Sequence, residues 1–99
     1  MKIVKINKSK LKLFISDKVF KPTATTEFLV RDALLKIKKP IDILDLGCGA
    51  GITGISLNHL GLVNGQIYAS DLSADAVRCT KNNGLIHGCE LTARTGSLF

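Results

Sequence analysis

The sequence predicts an α/β fold: a Rossmann-like parallel half-sheet with flanking helices, preceded by a short Lys-rich β segment. Three observations carry this. From Pro40 onward, short apolar runs alternate with amphipathic stretches. A Gly-rich turn joins the first run to the stretch that follows it. The connections between runs have the usual length of β-α-β units. With 99 residues the chain makes one small domain with a modest core.

Residues 2–20 read as short strands: Lys2 to Ile6, Leu11 to Ile15, and Val19-Phe20. Leu11, Leu13 and Ile15 alternate with Lys10 and Lys12, the pattern of a half-exposed strand. Asp17-Lys18 predicts a turn, and Pro22 closes the segment. Residues 1–22 are thus the basic N-terminal part and 23–99 the main domain. A helix follows, with Thr25 or Thr26 as N-cap and Glu27 near the positive end of its dipole. Val30, Ala33, Leu34 and Ile37 fall on one face. Lys36, Lys38 and Lys39 suit its C-terminal end, and Pro40 closes it.

Ile41 to Leu46 reads as a buried parallel strand. A helix from about Gly51 to Leu60 turns Ile52, Ile55 and Leu60 to the sheet, with Gly61 at its C-cap. Asn64-Gly65 predicts a turn into the strand Gln66 to Ser70. Ser73 caps a third helix whose Ala76, Cys79, Thr80 and Asn83 share a face, and Gly84 is its expected C-cap. The last strand is Glu90 to Thr95. Right-handed crossovers set the three strands in the order 3-2-1. The apolar strand 41–46 is then an edge with no Lys or Pro to protect it. A sheet of this kind is expected to be completed by a second subunit, by self-association or by further chain.

Composition excludes several classes. Hydrophobic residues at 45% and charged residues at 22% exclude a disordered chain. The uncharged run from Ile52 to Ser70 holds Asn58, His59, Asn64 and several glycines, so it is no membrane helix. Residues 1–12 contain no apolar block of the secretory kind. Cys48, Cys79 and Cys89 are odd in number and lack metal-site spacing, which suits a cytoplasmic protein without disulfides or bound metal. Residues 1–39 hold 11 basic and 3 acidic residues, a net +8, and residues 40–99 hold 3 and 5, a net −2. The basic segment is either a nucleic-acid contact or a solvated, Lys-protected edge.

The segment Asp45-Leu46-Gly47-Cys48-Gly49-Ala50-Gly51 carries the chemistry. Glycines there allow positive φ and close approach of a ligand to the backbone. Ligands of open α/β sheets sit at the carboxyl ends of the strands. Asp71 ends the next strand and suits the two hydroxyls of a ribose. Glycines 49, 51 and 54 fit the dinucleotide fingerprint, which implies NAD. Glycines 47, 49 and 51 led by Asp45 fit an acid-x-G-x-G-x-G pattern instead. Asp45 repels a pyrophosphate and attracts a cation.

With that pattern the sequence resembles the class I S-adenosylmethionine-dependent methyltransferases. Val19-Phe20-Lys21-Pro22, Thr26-Glu27-Phe28-Leu29-Val30, Asn82-Asn83-Gly84 and Gly96-Ser97-Leu98-Phe99 are similar to segments of the glutamine-N5 (release factor) and small-domain methyltransferases. The resemblance covers about residues 14–99. It implies S-adenosyl-L-methionine as cofactor, with Gly47, Cys48, Gly49, Ala50 and Gly51 around its methionine part. Asp45 would orient the amino group and Asp71 would take the ribose hydroxyls. Leu72 would lie on one side of the adenine, and Ser97 and Leu98 on the other. Ser97 stands where many members have Asp. The family's Asn-Pro-Pro-Tyr acceptor motif does not occur in this sequence, so no catalytic residue is expected here.

The implied function is N-methylation of a protein glutamine amide or a nucleic-acid base amine, with this chain as the donor-binding, N-terminal half. The other readings are a non-catalytic donor-binding or scaffold subunit, an NAD-dependent oxidoreductase fragment, and a nucleic-acid module using the basic segment. Cys48 is expected to fill the turn. His59, His87, Asp75 and Glu90 read as surface residues.

Overall fold

The computed structural model describes residues 2–6, 9–19 and 24–96. An N-terminal hairpin pairs β1 (Lys2–Ile6) with β2 (Ser9–Leu13) in antiparallel register. After α1 (Ala24–Lys36) come β3 (Ile41–Leu46), α2 (Ile52–His59), β4 (Val63–Asp71), α3 (Ala74–Ile86) and β5 (Glu90–Thr95). The last three strands form a parallel sheet in the order β3-β4-β5. That is the order set by right-handed crossovers. No helix among the described residues is long and apolar enough to cross a membrane.

The pleat decides which side chains are buried. Ile43, Ile67 and Leu91 lie in one row across the sheet, and Asp45, Ala69 and Ala93 in a parallel row. This face receives α2 and α3. Ile52, Ile55 and Leu57 of α2 pack on Ile43 and Ile67, and Val77 of α3 packs on Ala69 and Ala93. Gly54 lets α2 approach closely: a Cβ there would stand 3.1 Å from Ile67 Cγ2. Leu11 and Leu13 of the hairpin, fully buried, join the same cluster as Val30 of α1 and the α2–sheet core. The basic segment is therefore not an appendage.

Several boundaries differ from the sequence reading. The second strand ends at Leu13 rather than Ile15, because the N–H and carbonyl of Phe14 bond to Asn83 instead of a ladder. Val19 is in no strand; its N–H donates to Ser16 O at 3.0 Å, closing the turn at Asp17-Lys18. Phe20 and Pro22 lie outside the described residues. Helix α1 begins at Ala24, so Thr25 and Thr26 are inside it, not at its N-cap. Val30 is buried and Ala33, Leu34 and Ile37 are half-buried, as the periodicity predicts.

Asn64-Gly65 lies within β4. Ile41 pairs with Val63 but Ile43 pairs with Ile67, so β4 carries extra residues as a bulge, with Gly65 at φ 97°. Gly84 does not cap α3. It is buried in the helix with a face toward Leu91, and packing on β5 overrides the roughly 1 kcal/mol helix penalty of a glycine. The cap is one turn later. Gly88, at φ 64°, donates to Leu85 O, and Cys89 N donates to Gly84 O, a Schellman closure. Ser73 caps the helix start as expected, accepting from Ala76 N.

The burial of Leu13 generates a test. Leu13→Ala should cost about 2–5 kcal/mol in urea denaturation, within a single transition. A hairpin that folds as a separate unit would leave the main transition unmoved.

Candidate functional site

The site forms where the carboxyl ends of β3 and β4 meet the N-termini of α2 and α3. The turn 47–51 leaves β3 with Gly47, Gly49 and Gly51 all at positive φ (75°, 56° and 84°). Its backbone groups are met from three sides. Gly47 N and Cys48 N both donate to Ser70 O of β4, at 2.8 and 2.9 Å. Gly49 N donates to Asp71 Oδ2 at 3.0 Å. The carbonyls of Cys48, Gly49 and Ala50 accept from Gly51 N, Thr80 Oγ1 and Asn83 Nδ2, at 2.8, 2.9 and 2.7 Å. Gly51 starts α2 and is boxed in. A Cβ there would meet Thr80 and Ile55 at 3.1–3.2 Å. Gly47 and Gly49 are different: a Cβ on either meets nothing within 4 Å, so the turn faces open space there.

Asp71 is at the end of β4. Its Oδ1 accepts from Ser73 N at 2.9 Å while Oδ2 holds Gly49 N. It thus fixes the Gly-rich turn to the start of α3, and each oxygen keeps a further lone pair. Its carbonyl accepts from Gly96 N at 2.8 Å, which brings the segment after β5 to the same corner. Leu72 follows with its side chain 77% exposed. Ser97 and Leu98 lie outside the described residues.

Asp45 points to the helix-covered face, in the row of Ala69 and Ala93. Burial raises its pKa above the ordinary aspartate value, and the charge of Asp71 raises it further. No described residue hydrogen-bonds to its carboxylate. Two carboxylates at one corner, one held by N–H donors and one not, make a site that attracts a cation. Cys48 is buried, and Thr80 Oγ1 lies 3.2 Å from its Sγ. Burial pushes its pKa up, and the Asp45 and Asp71 charges add to this. Both effects favour its thiol over its thiolate form.

The remaining candidates lie elsewhere. His59 is exposed at the end of α2. His87 Nε2 donates to Lys12 O at 2.7 Å, tying α3 to the hairpin. Asp75 pairs with Arg78, and Glu90 is exposed. Thr80 and Asn83 were legible as members of a buried helix face, but their hold on the turn was not. The available signal was chemical: a Thr and an Asn three residues apart on an otherwise apolar face need partners there.

Known proteins are similar to most of this chain. The family model described as ribosomal protein L11 methyltransferase (PrmA) matches residues 22–95. A release factor glutamine methyltransferase from Geobacter sulfurreducens is 29% identical over 89 residues, which are 90% of this chain and 31% of that protein. A ribosomal protein L11 methylase structure from Lactobacillus delbrueckii subsp. bulgaricus shares the fold. Its TM-score is 0.70 and its identity 24%, over 80% of this chain and 40% of that one. Trm1 from Pyrococcus horikoshii, solved with S-adenosyl-L-methionine, has a TM-score of 0.64 and 25% identity, over 88% and 24%. The chain spans less than half the length of each of these relatives.

The raised pKa of Asp45 fixes the sign of a pH effect. A carboxyl with its folded pKa above its unfolded one contributes stability that is complete below the unfolded value and lost as pH rises through the folded value. At neutral pH the Asp45 charge is thus a liability of the free chain. Asp45→Asn should raise the melting temperature of the free chain by a few degrees at pH 7, with the gain shrinking as pH falls. Thermal scans of both forms across pH test this. An unchanged or lower melting temperature at pH 7 refutes it.

Proposed function

We propose a function from one premise: the chain belongs to the ribosomal protein L11 methyltransferase (PrmA) family. In this reading residues 45–51 and 71–72 bind S-adenosyl-L-methionine, and the protein acts in N-methylation. The observation that carries it is the corner itself, a turn of positive-φ glycines flanked by two carboxylates of unlike environment. The open space over Gly47 and Gly49 fits a group lying against the backbone. The free carboxylate of Asp45 fits an ammonium, and the spare lone pairs of Asp71 fit two ribose hydroxyls. Leu72, exposed beside Asp71, offers an apolar wall for the adenine.

S-adenosylmethionine supplies an activated methyl group on a sulfonium. The chain's own contribution is orientation, with no acid–base group needed at the corner. Asp45 holds the cationic end, Asp71 the sugar, and the turn fixes the depth between them. The names of the relatives, a ribosomal protein methyltransferase and a release factor glutamine methyltransferase, favour a protein nitrogen as acceptor over a base amine. The three thiols are all free, which suits a cytoplasmic protein.

Acceptor recognition belongs to a larger sheet than these strands make. On the sheet face away from the helices, Leu44 and Leu46 are each 55% exposed and Tyr68 is also exposed. A groove of about 410 Å³ runs along the outer edge of β3, between Leu29 and Ala33 of α1 and Thr53 and Leu57 of α2. The opposite edge, β5, presents Glu90, Arg94 and Thr95. The two edges differ as a paired edge differs from a protected one. Further strands, from a second subunit or from further chain, would pair with β3 and bring the acceptor site.

Calorimetric titration with S-adenosylmethionine, with NAD as control, tests the donor site. The methyl donor should bind and NAD should not. Its affinity should fall as pH drops through the raised pKa of Asp45. Asp71→Ala should weaken binding roughly ten- to hundredfold, the value of hydrogen bonds to a charged acceptor. A folded chain that ignores the donor refutes the reading. For the edge, sedimentation should show concentration-dependent association that Leu44→Lys removes.

A further inference from the structure

Residues 14–19 lead from the hairpin toward α1 and pack against α3 and the Gly-rich turn. Two independent sets of contacts hold them there. The first is Asn83, which is fully buried on α3. Its Oδ1 accepts from Phe14 N at 2.6 Å, and its Nδ2 donates to Phe14 O at 2.8 Å and to Ala50 O at 2.7 Å. An amide nitrogen has two hydrogens, and here they go to carbonyls of two separate segments. One side chain thus bonds the N-terminal segment and the turn at the same time. The second is packing: Val19, Ala50, Ala76 and Cys79 form a small buried cluster with Ile15 against it. Ala50 is the shared member, packed in the cluster with Val19 and held through its carbonyl by Asn83. The Cys79 thiol adds a bond to Phe14 O at 2.8 Å.

We propose that Asn83 is a positioning residue that couples residues 14–19 to the donor turn, so that docking of this strap and binding of the donor reinforce each other. This rests on the donor-site reading above. The argument is one of linkage. The turn adopts its ligand-ready shape only with the Ala50 carbonyl in place, and the amide that fixes that carbonyl is itself aligned by Phe14. A strap that swings away leaves Asn83 with one partner of three and removes the apolar backing of Ala50. Ligand that selects the ordered turn therefore selects the docked strap, and the coupling is reciprocal. The basic hairpin is continuous with the strap through Leu13, so whatever engages the hairpin acts on the donor site by the same route.

Amide hydrogen exchange on the full chain tests this, with the Phe14 N–H as reporter. That N–H is bonded to Asn83 and to no residue of the turn. Saturating S-adenosylmethionine should slow its exchange roughly fivefold or more. Asn83→Ser, checked for fold by circular dichroism, should bind the donor about tenfold more weakly and lose the transmitted protection. Val19→Ala loosens the strap without touching Asn83 and should weaken donor binding in the same direction. Should Asn83→Ser fail to fold, the wild-type exchange and Val19→Ala decide the matter alone. A purely structural role for Asn83 predicts a lower melting temperature with unchanged donor affinity and no donor effect on Phe14, and that result overturns the proposal. Absence of donor binding by the folded wild type is a separate outcome, which removes the donor site and this coupling together.

Discussion

The structure depends on satisfying the backbone of one turn. Between Gly47 and Gly51 three glycines take left-handed φ angles, and most of the N–H and carbonyl groups there are met by neither β3 nor α2. Buried peptide groups without partners cost more than the turn could bear. The solution uses the end of one other element and the body of a second. Strand β4 offers the Ser70 carbonyl and the Asp71 carboxylate, and helix α3 offers Thr80 and Asn83. The turn is therefore a joint product of β3, β4 and α3, and its shape reports whether all three are in place.

The two acidic residues at this corner stand in opposite environments. Asp71 has donors on both oxygens and is spent on structure as well as on any ligand. Asp45 has burial and a like charge against it, and both raise its pKa. A core optimised for stability alone would carry a neutral side chain in that row, beside Ala69 and Ala93. A carboxylate at such a place fits the cationic end of the proposed donor.

Much of this was legible in the sequence. The strand-turn-helix signature at 41–60 is local, since β-branched runs, glycine spacing and apolar periodicity act within a few residues. Strand β5 and the start of α3 at Ser73 follow from equally local signals. Several of the errors share one source, contacts distant in sequence. Strand β2 stops early because Asn83 claims Phe14. Gly84 stays helical because the sheet supports it, and Asn64-Gly65 stays extended because β3 pairs across the bulge. The site shows the same division. Its glycines and acids have the spacing of a motif, whereas Thr80 and Asn83 act through backbone atoms about thirty residues away, which no local pattern encodes.

The Phe14–Asn83 bond joins residues 69 apart, and it gives the fold an order in time. A ribosome makes the hairpin first and its anchor late. At about 5–20 residues per second, roughly 3–14 seconds separate the synthesis of Phe14 from that of Asn83. Through that interval the basic hairpin emerges with its apolar face uncovered, since Leu11 and Leu13 await α2 and the sheet. The lysines that alternate with those leucines keep the nascent segment hydrated and unpaired until the chain behind it arrives.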